Sequence, residues 1–268
     1  MWVNSQRAGG ETGVGSSPVN PLRRSLVLAE AAWAQRTVRL APEPPGVRRG
    51  TVQPGAMPDP ATGRVPASDA VPDDALHLVA IGDSLVAGCG TDHQTAGLTP
   101  RIARRLASVV DRPVNWATHA RLGATMRRVR YRFLPEVAGH PDVLFISAAS
   151  NDLMARRTRT EWLDDLTAVL DDAQERADHV ILCSAGQLYR SRALGRALRA
   201  EVRRRTDAQT EDSKAVCAER GVDYVDVAHC ELNEGFWADD RFHPSALGYE
   251  MAAGLVVDAM SWLPANVN

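Results

Sequence analysis

From residue 75 the chain alternates short apolar runs with longer amphipathic stretches, and it does so five times. Residues 75–81 (ALHLVAI) and 143–148 (VLFISA) are apolar without alternation, the pattern of strands buried on both faces. Residues 114–118, 180–183 and 222–227 read as three further strands. Between the strands, apolar residues recur at three- and four-residue spacing: Ile102 and Leu106 in 98–110; Met126, Val129 and Phe133 in 124–138; Trp162, Leu166, Val169 and Leu170 in 160–177. Thr160 is placed to cap the third of these helices, with Glu161 in its first turn. Residues 192–220 read as a helix closed by Gly221, and 244–262 as a last helix with Pro244 in its first turn. Strands alternating with helices pack as a parallel sheet covered on both faces. The expected fold is therefore α/β, a three-layer α/β/α sandwich with a five-stranded parallel sheet, over residues 75–268. In such sheets the ligand sits outside the carboxyl ends of the strands. Chemistry is expected just after Ile81, Thr118, Ala148 and Val227.

Residues 1–74 differ in composition, holding ten of the 16 prolines. Proline removes a backbone donor, so this Pro/Gly-rich leader has few strands to offer and reads as a linker. Leu22, Leu26, Ala29 and Trp33 nevertheless keep helical spacing, which predicts a short amphipathic helix over 22–39. Arg23 and Arg24 precede an apolar run that faintly resembles a twin-arginine export signal. Glu30 breaks the run too early for an export signal, so the expected location is cytoplasmic. No apolar stretch approaches the ~20 residues of a membrane-spanning helix. With 31 basic residues against 33 acidic ones, the chain is not a globally basic nucleic-acid binder. The arginines of 127–132 and 203–205 lack an aromatic stacking platform and read as solvated helix faces. Cys89, Cys183, Cys217 and Cys230 form no CxxC and have no histidine at ligand spacing. No metal, cofactor or disulfide framework is expected.

Four of the expected strand ends carry reactive groups. After the first comes Gly82-Asp83-Ser84-Leu85, where glycine permits a sharp turn and Ser84 points its hydroxyl off the sheet. After the second, Gly123 is free to present a backbone N–H. After the third, Asn151 offers an amide donor. After the fifth, Asp240 stands three residues before His243, close enough to orient the imidazole. Singly, each has an ordinary explanation as a cap or loop residue. On one edge of one sheet they supply a nucleophile, a base with an orienting acid, and oxyanion donors, which is the equipment of acyl transfer.

The set GDSL (82–85), Gly123, Ser150-Asn151-Asp152 and Asp240-x-x-His243 resembles the SGNH/GDSL hydrolase superfamily. The likeness spans residues 75–263. It implies a flavodoxin-like fold and serine esterase or lipase-type activity without a metal. It also implies Ser84 as nucleophile, His243 as base and Asp240 as its partner, with an oxyanion hole from the Ser84 N–H, the Gly123 N–H and the Asn151 side chain. The family commonly has glycine two residues before that asparagine, where this chain has Ala149. A GxSxG elbow, the mark of the other large serine-hydrolase fold, is absent from the sequence.

The expected partner is a small-molecule ester, not a nucleic acid. An acyltransferase using the same residues is the alternative reading. Phe236 and Trp237 precede the catalytic-type Asp and are expected to wall a substrate pocket, with Tyr189 and Arg190 as further contacts. Arg156 and Arg157 are placed either to attract an anionic substrate or to start a solvated helix. His93 and His119 are placed at the cleft mouth.

Overall fold

The computed structural model describes residues 21–264. Residues 1–20 of the expected leader and 265–268 of the expected domain lie outside the described residues.

Six strands form one sheet in the order β1-β3-β2-β4-β5-β6. The five apolar runs become β2 (Leu76–Gly82), β3 (Val114–Ala120), β4 (Val143–Ser147), β5 (His179–Cys183) and β6 (Asp223–Val225), all mutually parallel. The sixth strand, β1 (Arg49–Val52), comes from the proline-rich segment and pairs antiparallel with β3. The five-stranded parallel sheet is thus corrected to a six-stranded, mostly parallel one. An edge strand needs a hydrogen-bonding partner on one side only, so four residues between prolines suffice.

Side chains of β2 alternate between two cores, as the period of two requires. Leu78 and Ala80 pack with Ile102 and Leu106 of α2 (Leu98–Val110) and with Tyr249 and Val256 of α7 (Ala246–Asp258). Val79 and Ile81 pack with Leu166 and Val169 of α5 (Arg159–Arg176) on the other face. These are the three layers.

Two helical expectations are corrected. The stretch 124–138 is not one helix: it runs as α3 (Met126–Arg128), a π turn over Val129–Phe133 and a 3-10 turn over Leu134–Glu136. Pro135 cannot donate to an α-helical ladder, and the backbone regroups around it. The cap of α5 is Thr158 rather than Thr160, because Thr158 and Glu161 satisfy each other's backbone N–H groups reciprocally.

Leader residues pack on the sandwich. Helix α1 (Pro21–Thr37) lies against α6 (Arg196–Arg220), with Ala34 buried among Leu194, Leu198 and Val202. The Glu30 carboxylate accepts the Leu198 N–H at 2.7 Å, in the first turn of α6, where negative charge is favoured. No helix among the described residues is long and apolar enough to cross a membrane.

From β2 the sheet extends to β3 on one side and to β4 on the other. This reversal opens a crevice at the carboxyl end of β2, the usual ligand position in open α/β sheets.

Candidate active site

Strand β2 ends against β4 so closely that only glycine fits: a Cβ on Gly82 would lie 1.9 Å from the Ser147 carbonyl oxygen. The Asp83 N–H donates to that carbonyl at 2.8 Å, and the Ala87 N–H then donates to Asp83 O. This turn leaves Ser84 half-buried at the head of the crevice. The Ser84 N–H donates to no acceptor among the described residues, and neither does that of Gly123. Gly123 adopts φ +82°, the left-handed region that favours glycine.

Asp83 is buried and works sideways. Its Oδ1 accepts the Leu85 N–H at 3.0 Å, and its Oδ2 accepts the Asn151 Nδ2–H at 3.1 Å. Asn151 lies in the first turn of α4 (Ala149–Met154), directly beyond β4. One amide hydrogen is therefore fixed by Asp83 and the other is left to point elsewhere. Burial pushes the Asp83 carboxyl up to about 7, and the nearby Asp152 charge adds to the rise. Ala149 is itself buried, and its carbonyl accepts from Gln209. The methyl group there does not prevent the Asp83–Asn151 contact.

On the facing loop, His243 is buried and its Nδ1 lies 2.6 Å from Asp240 Oδ2. Asp240 also accepts three backbone N–H groups, from Phe242, His243 and Ala41, each at 2.9 Å. Burial pushes this carboxyl up, but the hydrogen bonds outweigh it and hold Asp240 below its ordinary value. The loop closes on itself: Ala238 N–H donates to His243 O, Ser245 N–H donates to Phe236 O, and Arg241 turns the chain at φ +55°. Tyr249 of α7 donates its hydroxyl to Cys89 O at 2.7 Å, tying α7 to the Ser84 loop.

The Ala41 contact comes from the leader, and it is not alone. Glu43 Oε1 accepts the Leu122 N–H at 2.7 Å, one residue before Gly123. The Glu43 carboxylate pairs with Arg48, whose Nη1 donates to Ala120 O at 2.6 Å. The segment 41–48 thus braces both the Asp240 loop and the Gly123 loop. Sequence reasoning missed these residues, and Asp83 as the partner of Asn151. A backbone donor such as Ala41 leaves no mark in a sequence, whereas an isolated carboxylate among prolines, Glu43, is a weak mark that could have been followed.

Ser84, Asn151, His243, Phe236 and Trp237 line one cavity of about 90 Å³. The expected wall residues Phe236 and Trp237 are therefore at the site, ring against edge at 5.1 Å. Gly123 and Tyr189 are not among the residues lining that cavity. Tyr189 donates its hydroxyl to Ala228 O and stacks beneath Arg203. Arg157 is engaged with Asp165 at 2.6 Å, while Arg156 is exposed. His93 bonds to Thr95, and His119 faces Glu136 at 3.6 Å.

The GDSL-like Lipase/Acylhydrolase family matches residues 80–251. No curated protein sequence matches the chain. Among solved structures, an acetylxylan esterase of Geobacillus stearothermophilus (a catalytic mutant of Axe2) is 18% identical with a TM-score of 0.56, covering 73% of this chain and 98% of its own. LAE5, a hydrolase from the metagenome of Lake Arreo, is 21% identical at a TM-score of 0.55, over 71% and 98%. TesA is 18% identical at 0.54, over 69% and 98%. At these identities the likeness is one of fold.

Proposed function

The chain belongs to the GDSL-like lipase/acylhydrolase family, and from that premise we propose that it hydrolyses carboxylic esters through an acyl-enzyme on Ser84. The observation that carries the reading is His243, held by Asp240, sharing one small cavity with Ser84 and Asn151. With Nδ1–H donated to Asp240, His243 keeps Nε2 free to take a proton. That nitrogen removes the Ser84 hydroxyl proton as Oγ bonds to the ester carbonyl carbon. Asp240 holds the ring and stabilises the imidazolium that forms. The oxyanion is held by the Ser84 N–H, the Gly123 N–H and the Asn151 amide hydrogen not held by Asp83. One such donor is commonly worth ~10²–10³ in rate. His243 then gives its proton to the leaving alcohol. A water, deprotonated by the same nitrogen, adds to the acyl-enzyme, and its collapse frees the acid and restores the Ser84 hydroxyl.

The cavity at Ser84 is far below the ~300–1,000 Å³ usual for drug-sized ligands. It suits a short acyl group between Phe236, Trp237 and Leu188. The test is hydrolysis of p-nitrophenyl acetate, butyrate and octanoate beside Ser84→Ala. Activity greatest on acetate and abolished in the variant is the expected outcome. Equal activity in Ser84→Ala would sink the mechanism.

A further inference from the structure

A second and much larger concavity adjoins the catalytic cavity. It is a groove of about 1020 Å³ between α1 and α6. Met154 and Phe242 line both spaces and stand at the boundary between them. Phe242 stands edge-on to His243, with ring centres 5.7 Å apart. One wall of the groove belongs to this chain's leader: α1 lies outside residues 80–251, where the family match falls, and α6 lies inside them.

The walls have two characters. Val27 and Ala31 of α1 face Leu198 and Val202 of α6, giving an apolar floor. The rim holds five arginines against a single carboxylate, Glu201. Glu201 is consumed by Arg204 and Arg205, which hold its carboxyl down to about 2. Arg23, Arg24 and Arg156 make no ion pair with any described carboxylate. The groove therefore combines hydrocarbon walls with positive charge that no carboxylate among the described residues compensates.

Direction follows from the chain. The C-terminal side of α1 leads to Ala41, which touches Asp240. Arg23 and Arg24 stand at its N-terminal end, and the helix between Arg24 and Thr37 is about 20 Å long at 1.5 Å per residue. An occupant with one end at Ser84 and the other at this arginine pair is long, thin and negatively charged at its far end.

We infer that the α1–α6 groove is a binding site for the alcohol side of the substrate, a single-chain amphiphile whose apolar chain lies between α1 and α6 and whose anionic group meets Arg23 and Arg24. This rests on the reading of Ser84 as nucleophile for which end faces inward. The short acyl group occupies the small cavity and the chain runs past Phe242 and Met154.

The test is calorimetric titration of the full chain with ω-hydroxydodecanoate, the alcohol such an ester would release. Dodecanol serves as the uncharged comparator. Binding is expected to weaken about tenfold in Arg23→Ala/Arg24→Ala, at exposed positions, and to fall with added salt. Val27→Glu, which puts a like charge on the floor, is expected to abolish it. The same compound is expected to inhibit p-nitrophenyl acetate hydrolysis competitively. No binding, binding indifferent to the arginines and to salt, or binding without competition would each overturn the proposal. Binding that emerges only when residues 1–20 are removed would place that segment in the groove and overturn it too. Failure to hydrolyse p-nitrophenyl acetate at all would instead sink the esterase reading, while the titration would still report on the groove.

Discussion

Glu43→Ala tests whether the leader braces the Gly123 loop for the proposed chemistry or serves stability alone. Glu43 sits 79 residues from Leu122 in the chain, yet its Oε1 accepts the Leu122 N–H at 2.7 Å. The same carboxylate holds Arg48, and Arg48 holds the Ala120 carbonyl at 2.6 Å. Truncation therefore leaves a half-buried N–H without its acceptor and a guanidinium without its counter-charge. A hydrogen bond to a charged group is worth ~1.5–3 kcal/mol, and partial exposure of both side chains reduces this to about 1 kcal/mol of stability. The catalytic consequence is larger than the stability change. Gly123 follows Leu122 directly and lies between the Leu122–Glu43 bond and the Ala124 N–H, which donates to Arg121 O at 3.0 Å. Its N–H is thus aimed by the flanking hydrogen bonds. A displaced donor costs less than a deleted one, so kcat is expected to fall about ten- to hundredfold with KM nearly unchanged. Glu43→Gln keeps an acceptor oxygen for Leu122 but not the charge for Arg48, and is expected to recover most of kcat. The assay is steady-state hydrolysis of p-nitrophenyl acetate with thermal unfolding measured beside it. A variant with full kcat and a lowered Tm would refute the reasoning, since Glu43 would then serve stability alone.

Two further perturbations test the carboxylates. Asp240→Asn is expected to cost about 10³–10⁴ in kcat, because an amide favours the wrong imidazole tautomer and no longer stabilises the imidazolium. A loss of less than about tenfold in steady-state kinetics would remove Asp240 from the mechanism. Asp83 titrates in the opposite sense from a salt-bridged acid. Its folded value is raised to about 7, so the folded state holds this proton more tightly than the unfolded chain does. Its contribution to stability is full below about pH 4 and is lost as pH rises through about 7. Denaturant titrations from pH 4 to pH 8 are expected to show a falling stability slope that shrinks in Asp83→Asn. An unchanged slope in the variant would place the proton elsewhere. The same variant turns an amide toward the Asn151 amide, so its kcat is expected to fall as well.

What the sequence discloses and what it conceals divide along a physical line. Ser84 and Asn151 are legible as candidates because each closely follows an apolar run, and a parallel sheet gathers run ends on one edge; His243 is legible as one through Asp240 three residues before it. Helix α2 is found at its observed limits because the apolar residues of 98–110 keep helical spacing and its one proline, Pro100, stands in the first turn, where no intrahelical N–H is needed. The 124–138 stretch shows the same periodicity and fails, since Pro135 acts on the backbone and not on the pattern. The edge strand β1 is hidden for a related reason: four residues, one of them glycine, owe their conformation to hydrogen bonds with β3 and carry little strand signal of their own. Tyr189 lies outside the lining of the Ser84 cavity, its hydroxyl donated to Ala228 O, because position after a strand says nothing of where a long loop folds back. The deepest concealment lies in the leader. Its composition reads as linker, yet Ala41 donates to Asp240 across 199 residues and Glu43 reaches the Gly123 loop. Long-range contacts by a backbone N–H and a single carboxylate have no periodicity, so no local pattern can reveal them. The family match begins at residue 80, so Ala41, Glu43 and Arg48 brace the matched residues from outside them. The leader supplies a hydrogen bond to Asp240, a clamp on the loop that carries Gly123 and one wall of the groove. Under the proposed mechanism, a segment that walls the groove and also braces Asp240 and the Gly123 loop is expected to couple occupancy of the groove to alignment of His243. Loss of α1 docking, through Glu30→Ala for example, is therefore expected to lower kcat as well as affinity, measured by hydrolysis and titration on the same sample.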